Sequence, residues 1–378
     1  MDLSAIPLYD HHAHALFTEA AWREAPLEPY LSEASDPEQL ERFGRDTLTF
    51  RRSIRELAAF HGCAPTAEAV LAVRRHADYP ALVRRMFAEA RIDHWLIDDG
   101  LWTDRLMRLA DCAALVPALS VRRIVRLEVE LAGMIERHDR ASDLLAAFAE
   151  HLARLVPAVA AFKSIAAYRS GLDVSRPSSN EVETAFAAVR RAVVPGQRPR
   201  LTAKPLIDAM LWTVLPIAAA THTPVQFHTG FGDPDLDLRL ANPLHLRPLF
   251  EAEALRGLRV VMLHCYPFVR EAGYLASVYP GAYVDLGLTV PYASVHAMRT
   301  AFHEAVHLAP VTKLLLSTDA QRTPETFWLA ARWGRRVLGE ALDATIADGD
   351  LSSSEASWAA ARILHDNAAE LYARPTGA

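Results

Sequence analysis

The sequence predicts an α/β fold, a (β/α)8 TIM barrel with a helical insertion after the first strand. Three observations carry this expectation. Eight short apolar runs alternate with segments of helical length and spacing. A stretch rich in Ala, Leu, Arg and Glu, residues 18–93, separates the first run from the rest. The chain has 378 residues, 51% of them hydrophobic and 23% charged, enough apolar material for a large core. Barrels of alternating strands and helices hold about 250 residues or more in one domain, so residues 1–378 are read as a single barrel.

In chain order, the first strand is expected at residues 6–10 and runs into Asp10-His11-His12-Ala13-His14. Residues 18–93 follow as the helical insertion, with helical spacing at 46–60 and 67–76 and Pro and Asp as punctuation. Its ends fall at the mouth of the barrel, where it would form a lid or a homodimer surface. Strands are then expected at 94–98, 123–128, 158–168, 225–228, 259–264, 282–286 and 313–319. Helices are expected at 130–156, 181–194, 206–220, 294–308 and 324–338, and a closing helix at 354–372. Strand then helix, repeated eight times, implies a parallel sheet. An open doubly wound sheet fits the same rhythm, although no GxGxxG turn follows an early strand.

Charge and composition limit the function. A formal charge of −6 offers no basic surface for a row of phosphates, so the expected partner is a small molecule and not a nucleic acid. Cys63, Cys112 and Cys265 are scattered, without a CxxC pair, which fits a reducing cytoplasm. The N-terminus lacks a basic leader before an apolar stretch, and no uncharged apolar run reaches about 18 residues, so export and membrane insertion are not expected.

The chemistry is carried by residues at the ends of the apolar runs. His12 and His14 are two apart, and strand side chains at that spacing point to the same side. His228 ends the fifth run, His264 the sixth and Asp319 the eighth. A barrel gathers its strand ends on one face, so four imidazoles and a carboxylate could converge there. Such donors suit zinc, manganese or iron, and an incomplete protein shell leaves room for water or substrate. Each residue has a plainer role. A lone His is usually hydrogen-bonded in a loop, and Asp319, Thr318 or Thr323 could cap the following helix.

The order HxH, Lys163 near the fourth strand, His228, His264 and Asp319 resembles the amidohydrolase superfamily along the whole chain. DHHAH, FKSIAAYRSGL at 162–172, FHTGFGD at 227–233 and HDNAAELY at 365–372 are similar to its amidohydrolase-2 branch, in particular the amidohydrolase half of FluG-type proteins. That half precedes a glutamine-synthetase-like domain, so this chain would be the free-standing form. The resemblance implies that His12, His14 and Asp319 bind one divalent metal, with zinc the expected ion. In binuclear relatives the strand-four lysine is carboxylated and bridges two metals, which would place Lys163, His228 and His264 at a second ion. In mononuclear relatives His228 joins the first metal and His264 polarises the substrate. Lys163 could instead pair with a substrate carboxylate or an acidic side chain.

A bound divalent metal lowers the pKa of water toward ~7, so the expected reaction is attack by metal-bound hydroxide on an amide, lactam, lactone or ester. Asp319 would be the general base, with His264 or a second ion stabilising the oxyanion. Asp10 would accept from an imidazole N–H. Arg169 and Arg322 stand after strand ends and could hold a substrate carboxylate. Arg126 and Glu128 could pair with each other, and Trp95 and Tyr168 could form an apolar wall. Asp233, Asp235, Asp237 and Arg239 read as a charged loop after His228. The alternatives are a non-hydrolytic metal enzyme, a decarboxylase or uronate-isomerase-like protein, and a non-catalytic binding barrel.

Overall fold

A computed structural model describes residues 1–101 and 103–373. Eight strands form one sheet in sequence order: β1 (Leu8–Ala13), β2 (Ile92–Asp98), β3 (Ser120–Arg126), β4 (Ala161–Ser164), β5 (Val225–His228), β6 (Val260–Leu263), β7 (Ala282–Asp285) and β8 (Leu314–Leu315). The pairings β1–β2 and β3 through β7 are parallel. Past β8 the chain returns to β1, for Asp319 N donates to His12 O (3.0 Å) and His14 N to Ala320 O (2.8 Å). Parallel neighbours need crossover helices, and these flank the sheet. The fold is a (β/α)8 barrel.

The residues divide into two compact units. One comprises 1–122, 232–234 and 285–370; the other comprises 123–231, 235–284 and the residues from 371. In the first, Trp95 meets Phe87 and Phe327 at ring distances of 5.1 and 5.2 Å. Trp95 is fully buried and fills core. In the second, Phe148, Phe162, Phe186, Phe227 and Tyr372 are among the large buried rings.

Between β1 and β2 lie five α-helices, Glu19–Glu24, Pro37–Phe43, Leu48–His61, Ala67–His76 and Tyr79–Glu89. β2 starts at Ile92, two residues earlier than the sequence suggests. All five helices have a side-chain cap of the expected kind, as where Thr47, Thr66 and Asp78 accept from Phe50 N, Ala69 N and Ala81 N. Helices Leu48–His61 and Tyr79–Glu89 pack on the long helix Pro324–Ala347, to which Trp22 and Arg74 also reach: Trp22 Nε1 donates to Glu325 at 3.2 Å and Arg74 Nε lies 3.1 Å from the same carboxylate. Arg74 and Glu325 are both buried, and the Arg74 guanidinium stacks 4.6 Å from the Trp22 ring. Among the described residues, no helix is long and apolar enough to cross a membrane.

Several strand limits differ from expectation, and hydrogen bonding explains the instructive ones. β1 runs on to Ala13 because Ala13 pairs with Ile97 of β2 and the chain after β8 bonds to its other edge. β4 is only Ala161–Ser164, and residues 166–168 turn into a 3₁₀ helix. β8 stops at Leu315 because the next amides bond to carboxylates instead of a strand: Ser317 N donates to Asp285 Oδ1 (2.8 Å) and Thr318 N to Asp10 Oδ1 (2.8 Å).

Candidate metal centre

In the first unit β1 carries His12 and presents His14 immediately after its end. Both Nε2 atoms approach Asp319 Oδ1, at 3.2 and 3.6 Å. All three residues are buried. His14 Nδ1 lies 3.1 Å from the Asp98 carbonyl oxygen, so that nitrogen donates and Nε2 is left facing Asp319 with its lone pair. Asp98 adds a carboxylate, for His12, His14 and Asp98 each offer one ligand atom within 4.8 Å of the others. Asp98 ends the second strand expected from sequence, the one signal that could have marked it.

Asp319 is not the last residue of its strand, as the sequence suggested. It lies four residues beyond β8 with φ +46°, a left-handed backbone that a non-glycine residue adopts at a cost. Two buried carboxylates hold the segment that sustains this. Asp10 accepts from Thr318 N (2.8 Å) and Thr318 Oγ1 (2.6 Å). Asp285 accepts from Ser317 N (2.8 Å) and Gly287 N (3.0 Å), and its Oδ1 lies 3.0 Å from His11 Nε2. A Cβ on Gly287 would come 2.1 Å from Ser317 Oγ, so a larger residue there would displace the hydroxyl that bonds Asp285. Asp10 therefore binds a backbone turn, where the sequence suggested an imidazole. Burial pushes its carboxyl up to about 8, aided by the charges of Asp285 and Asp319. Thr323 is the N-cap of helix Pro324–Ala347, without a side-chain cap bond, so Asp319 is not spent on capping.

The insertion contributes a carboxylate that the sequence did not single out. Glu33 accepts a hydrogen bond from the Tyr292 hydroxyl and feels the charges of Asp319, Asp233 and Arg322; burial first, then Asp319 and Asp233, push it up to about 7. The Tyr292 hydroxyl also bonds Gln321, and burial raises its pKa well above the usual phenol range. Arg322 has φ +66°, donates its backbone N–H to Ala15 O (3.0 Å) and stands 5.7 Å from the Tyr30 ring centre. Its placement near Glu33 depends on a loop of the insertion folding back, which no local pattern announces.

In the second unit His228 ends β5 and His264 follows β6, with ring centres 4.8 Å apart. His264 and Cys265 are both left-handed, φ +73° and +57°, so the chain turns sharply after β6 and the imidazole is carried on that turn. The turn after His228 is equally fixed. Thr229 Oγ1 donates to Leu263 O (2.7 Å), and a Cβ on Gly230 would stand 2.2 Å from Tyr266 O. Lys163 is buried in β4, level with Arg126 on one side and Gln226 on the other. Glu128 fastens the end of β4, accepting from Ser164 Oγ (2.7 Å) and Ile165 N (2.9 Å); its burial raises its carboxyl pKa.

Tyr168 lies against His228 at 4.3 Å, which gives it a place beside the histidines. Arg169 is half-buried, 3.8 Å from Asp235, while Arg200 holds the same carboxylate at 2.8 Å. Asp237 and Arg239 pair with each other on the surface, the solvated role for that part of the loop.

The donor set in the first unit fits a divalent metal. Two imidazole nitrogens and a carboxylate oxygen converge, one imidazole has its other nitrogen fixed by a carbonyl, and a second carboxylate is within reach. A (β/α)8 barrel with such donors at its strand ends belongs to a class of metal-assisted enzymes. The chain belongs to the amidohydrolase family, whose model matches residues 9–374. It is similar to protein FluG of Emericella nidulans, at 33% identity over 97% of this chain. The match takes in 45% of FluG, so the chain spans about half the length of that relative. Among solved structures, it resembles a candidate metal-dependent hydrolase from Lactobacillus casei, with 34% identity, a TM-score of 0.86, and 98% and 97% of the two chains covered. Glucuronate isomerase from Caulobacter crescentus shares the fold, at 13% identity and TM-score 0.60, with 99% and 93% covered.

Proposed function

We propose that the protein is a metal-dependent hydrolase that cleaves a C–N or C–O bond, in an amide, lactam, lactone or ester, of a small carboxylate-bearing substrate. The observation that carries this reading is the approach of His12 and His14 to one oxygen of Asp319. His12, His14 and Asp319 would hold the first divalent ion, with zinc the expected one. When bound, the ion supplies a Lewis acid and makes water acidic enough to react near neutral pH. Family membership supports assigning Lys163, His228 and His264 to the same reaction.

Asp319 has the position of a general base: its carboxylate takes a proton from the attacking water and passes it to the departing nitrogen or oxygen. His264 donates a hydrogen bond to the carbonyl oxygen as charge builds there. Lys163 either becomes carboxylated and serves a second ion or keeps its ammonium for a substrate carboxylate. Arg169 and Arg322 hold that carboxylate, although Asp235 and Glu33 compete for them. Thr318 and Ser317, clamped by Asp10 and Asp285, keep Asp319 from moving as its charge changes.

The test joins metal content to turnover. Protein purified without chelator is expected to carry at least one divalent ion per chain and to turn over a member of a panel of N-acyl amino acids, lactones and aromatic acids. In water enriched in ¹⁸O, hydrolysis places the label in the product carboxylate. Conversion without label uptake would point to an isomerase or decarboxylase, and absence of metal to a binding barrel.

A further inference from the structure

A second set of metal-type donors lies at the opposite ends of β1 and β2. His94 Nδ1 is 2.9 Å from Asp93 Oδ1, and His365 Nε2 is 3.2 Å from Asp93 Oδ2. The three ligand atoms all fall within 4.8 Å of one another. Tetrahedral zinc sites hold nitrogen and oxygen at about 2.0–2.2 Å, which separates neighbouring donors by about 3.4 Å. Two of the observed spacings, 2.9 and 3.2 Å, already lie near that value. The residues are half-buried, so water could complete the shell.

The surroundings orient these imidazoles. Tyr9 stacks flat on His94, with ring centres 4.1 Å apart and planes 7° from parallel. Asp366 Oδ1 lies 2.9 Å from His365 Nδ1, the carboxylate–imidazole arrangement that aims the other nitrogen at a cation. His365 sits in a π-helical turn, Arg362–Asp366, between α-helices Ser353–Ala361 and Asn367–Leu371. Such turns are rare and frequent at functional sites, because the extra residue redirects a side chain. Two guanidinium groups lie nearby: Arg122 is hydrogen-bonded to the Tyr9 hydroxyl, and Arg335 donates to Ile6 O at 3.1 Å and also feels the charge of Asp93.

We propose that Asp93, His94 and His365 form a second divalent transition-metal site, suited to zinc, that staples the closing helical segment to the N-terminal ends of β1 and β2. Tyr9 is level with His94, and His12 lies three residues further along β1, about 10 Å at strand rise. The staple is therefore separate from the centre at His12 and His14, and its role is stability, the usual one for this end of a barrel.

Chelator-treated full-length protein, re-equilibrated with zinc and measured by mass spectrometry of the metal, tests the site. His365→Ala and Asp93→Asn are expected to bind one equivalent less than wild type, whereas His12→Ala loses a different equivalent and keeps this one. Zinc is expected to raise the melting temperature of His12→Ala by several degrees and to leave the His12→Ala/His365→Ala double variant unchanged. Equal stoichiometry in wild type, His365→Ala and Asp93→Asn overturns the proposal. Should those variants not fold, wild-type crystals grown with zinc decide it: anomalous scattering peaks among Asp93, His94 and His365, or the site does not exist. Failure of the hydrolase reading would instead appear as a His12→Ala variant with undiminished metal.

Discussion

The two ends of β1 and β2 present the same side-chain types in opposite settings. At the C-terminal end His12 and Asp319 have side chains 1% and 9% exposed, while at the N-terminal end His94 and Asp93 are 31% and 40% exposed. Burial is what differentiates their electrostatics. Asp10, beside the inner group, has its carboxyl driven up to about 8, since water no longer stabilises the charge and Asp285 and Asp319 add repulsion. Around Asp93 and His94 water reaches the side chains.

The sharpest way to break this contrast is at its inner end. Asp319→Asn is expected to lower turnover by about 10³-fold, in the range for loss of a positioned acid–base group, while the melting temperature shifts by only a few degrees. Turnover of a substrate found in the panel, together with circular dichroism, checks both. Retained activity would sink the role given to Asp319.

Next in size is the insertion, where burial again sets the scale. Arg74→Ala leaves Glu325 as an uncompensated buried charge and is expected to cost about 3–5 kcal/mol in urea unfolding. The exposed counterpart is Arg45, which bridges Glu28 and Glu68 at 2.6 Å each. Arg45→Ala is expected to cost less than about 1 kcal/mol, the smallest effect here. Similar losses at both positions would show that burial does not rank these pairs.

Glu33 falls between them and has a sign that can be worked out. Its carboxyl is raised to about 7 in the folded chain, against about 4.3 when unfolded. The folded state holds the proton longer, so between those values it binds more protons than the unfolded state and stability falls as pH rises. In chelator-treated protein Glu33→Gln is expected to flatten this part of the stability–pH curve. An unchanged slope would show that Glu33 is not the group responsible.

What the sequence determined by itself was the fold class and the family. Strand and helix periodicities are local, and eight apolar runs in alternation with helices leave few arrangements for a parallel sheet. Motifs such as DHHAH and FHTGFGD are contiguous, so the family could be read without coordinates. The end of β5 at His228 was legible for the same reason, whereas β8 was misjudged because its continuation is held by Asp10 and Asp285, 308 and 32 residues away.

Tertiary structure alone decided which charged residues meet. It brought Glu33 of the insertion next to Tyr292, aimed His14 by a carbonyl at Asp98, and used a π-helical turn to carry His365 to Asp93. Each of these depends on pairings between distant segments and on how deeply they are buried. Neither quantity leaves a period in the chain, so no window of neighbouring residues contains it.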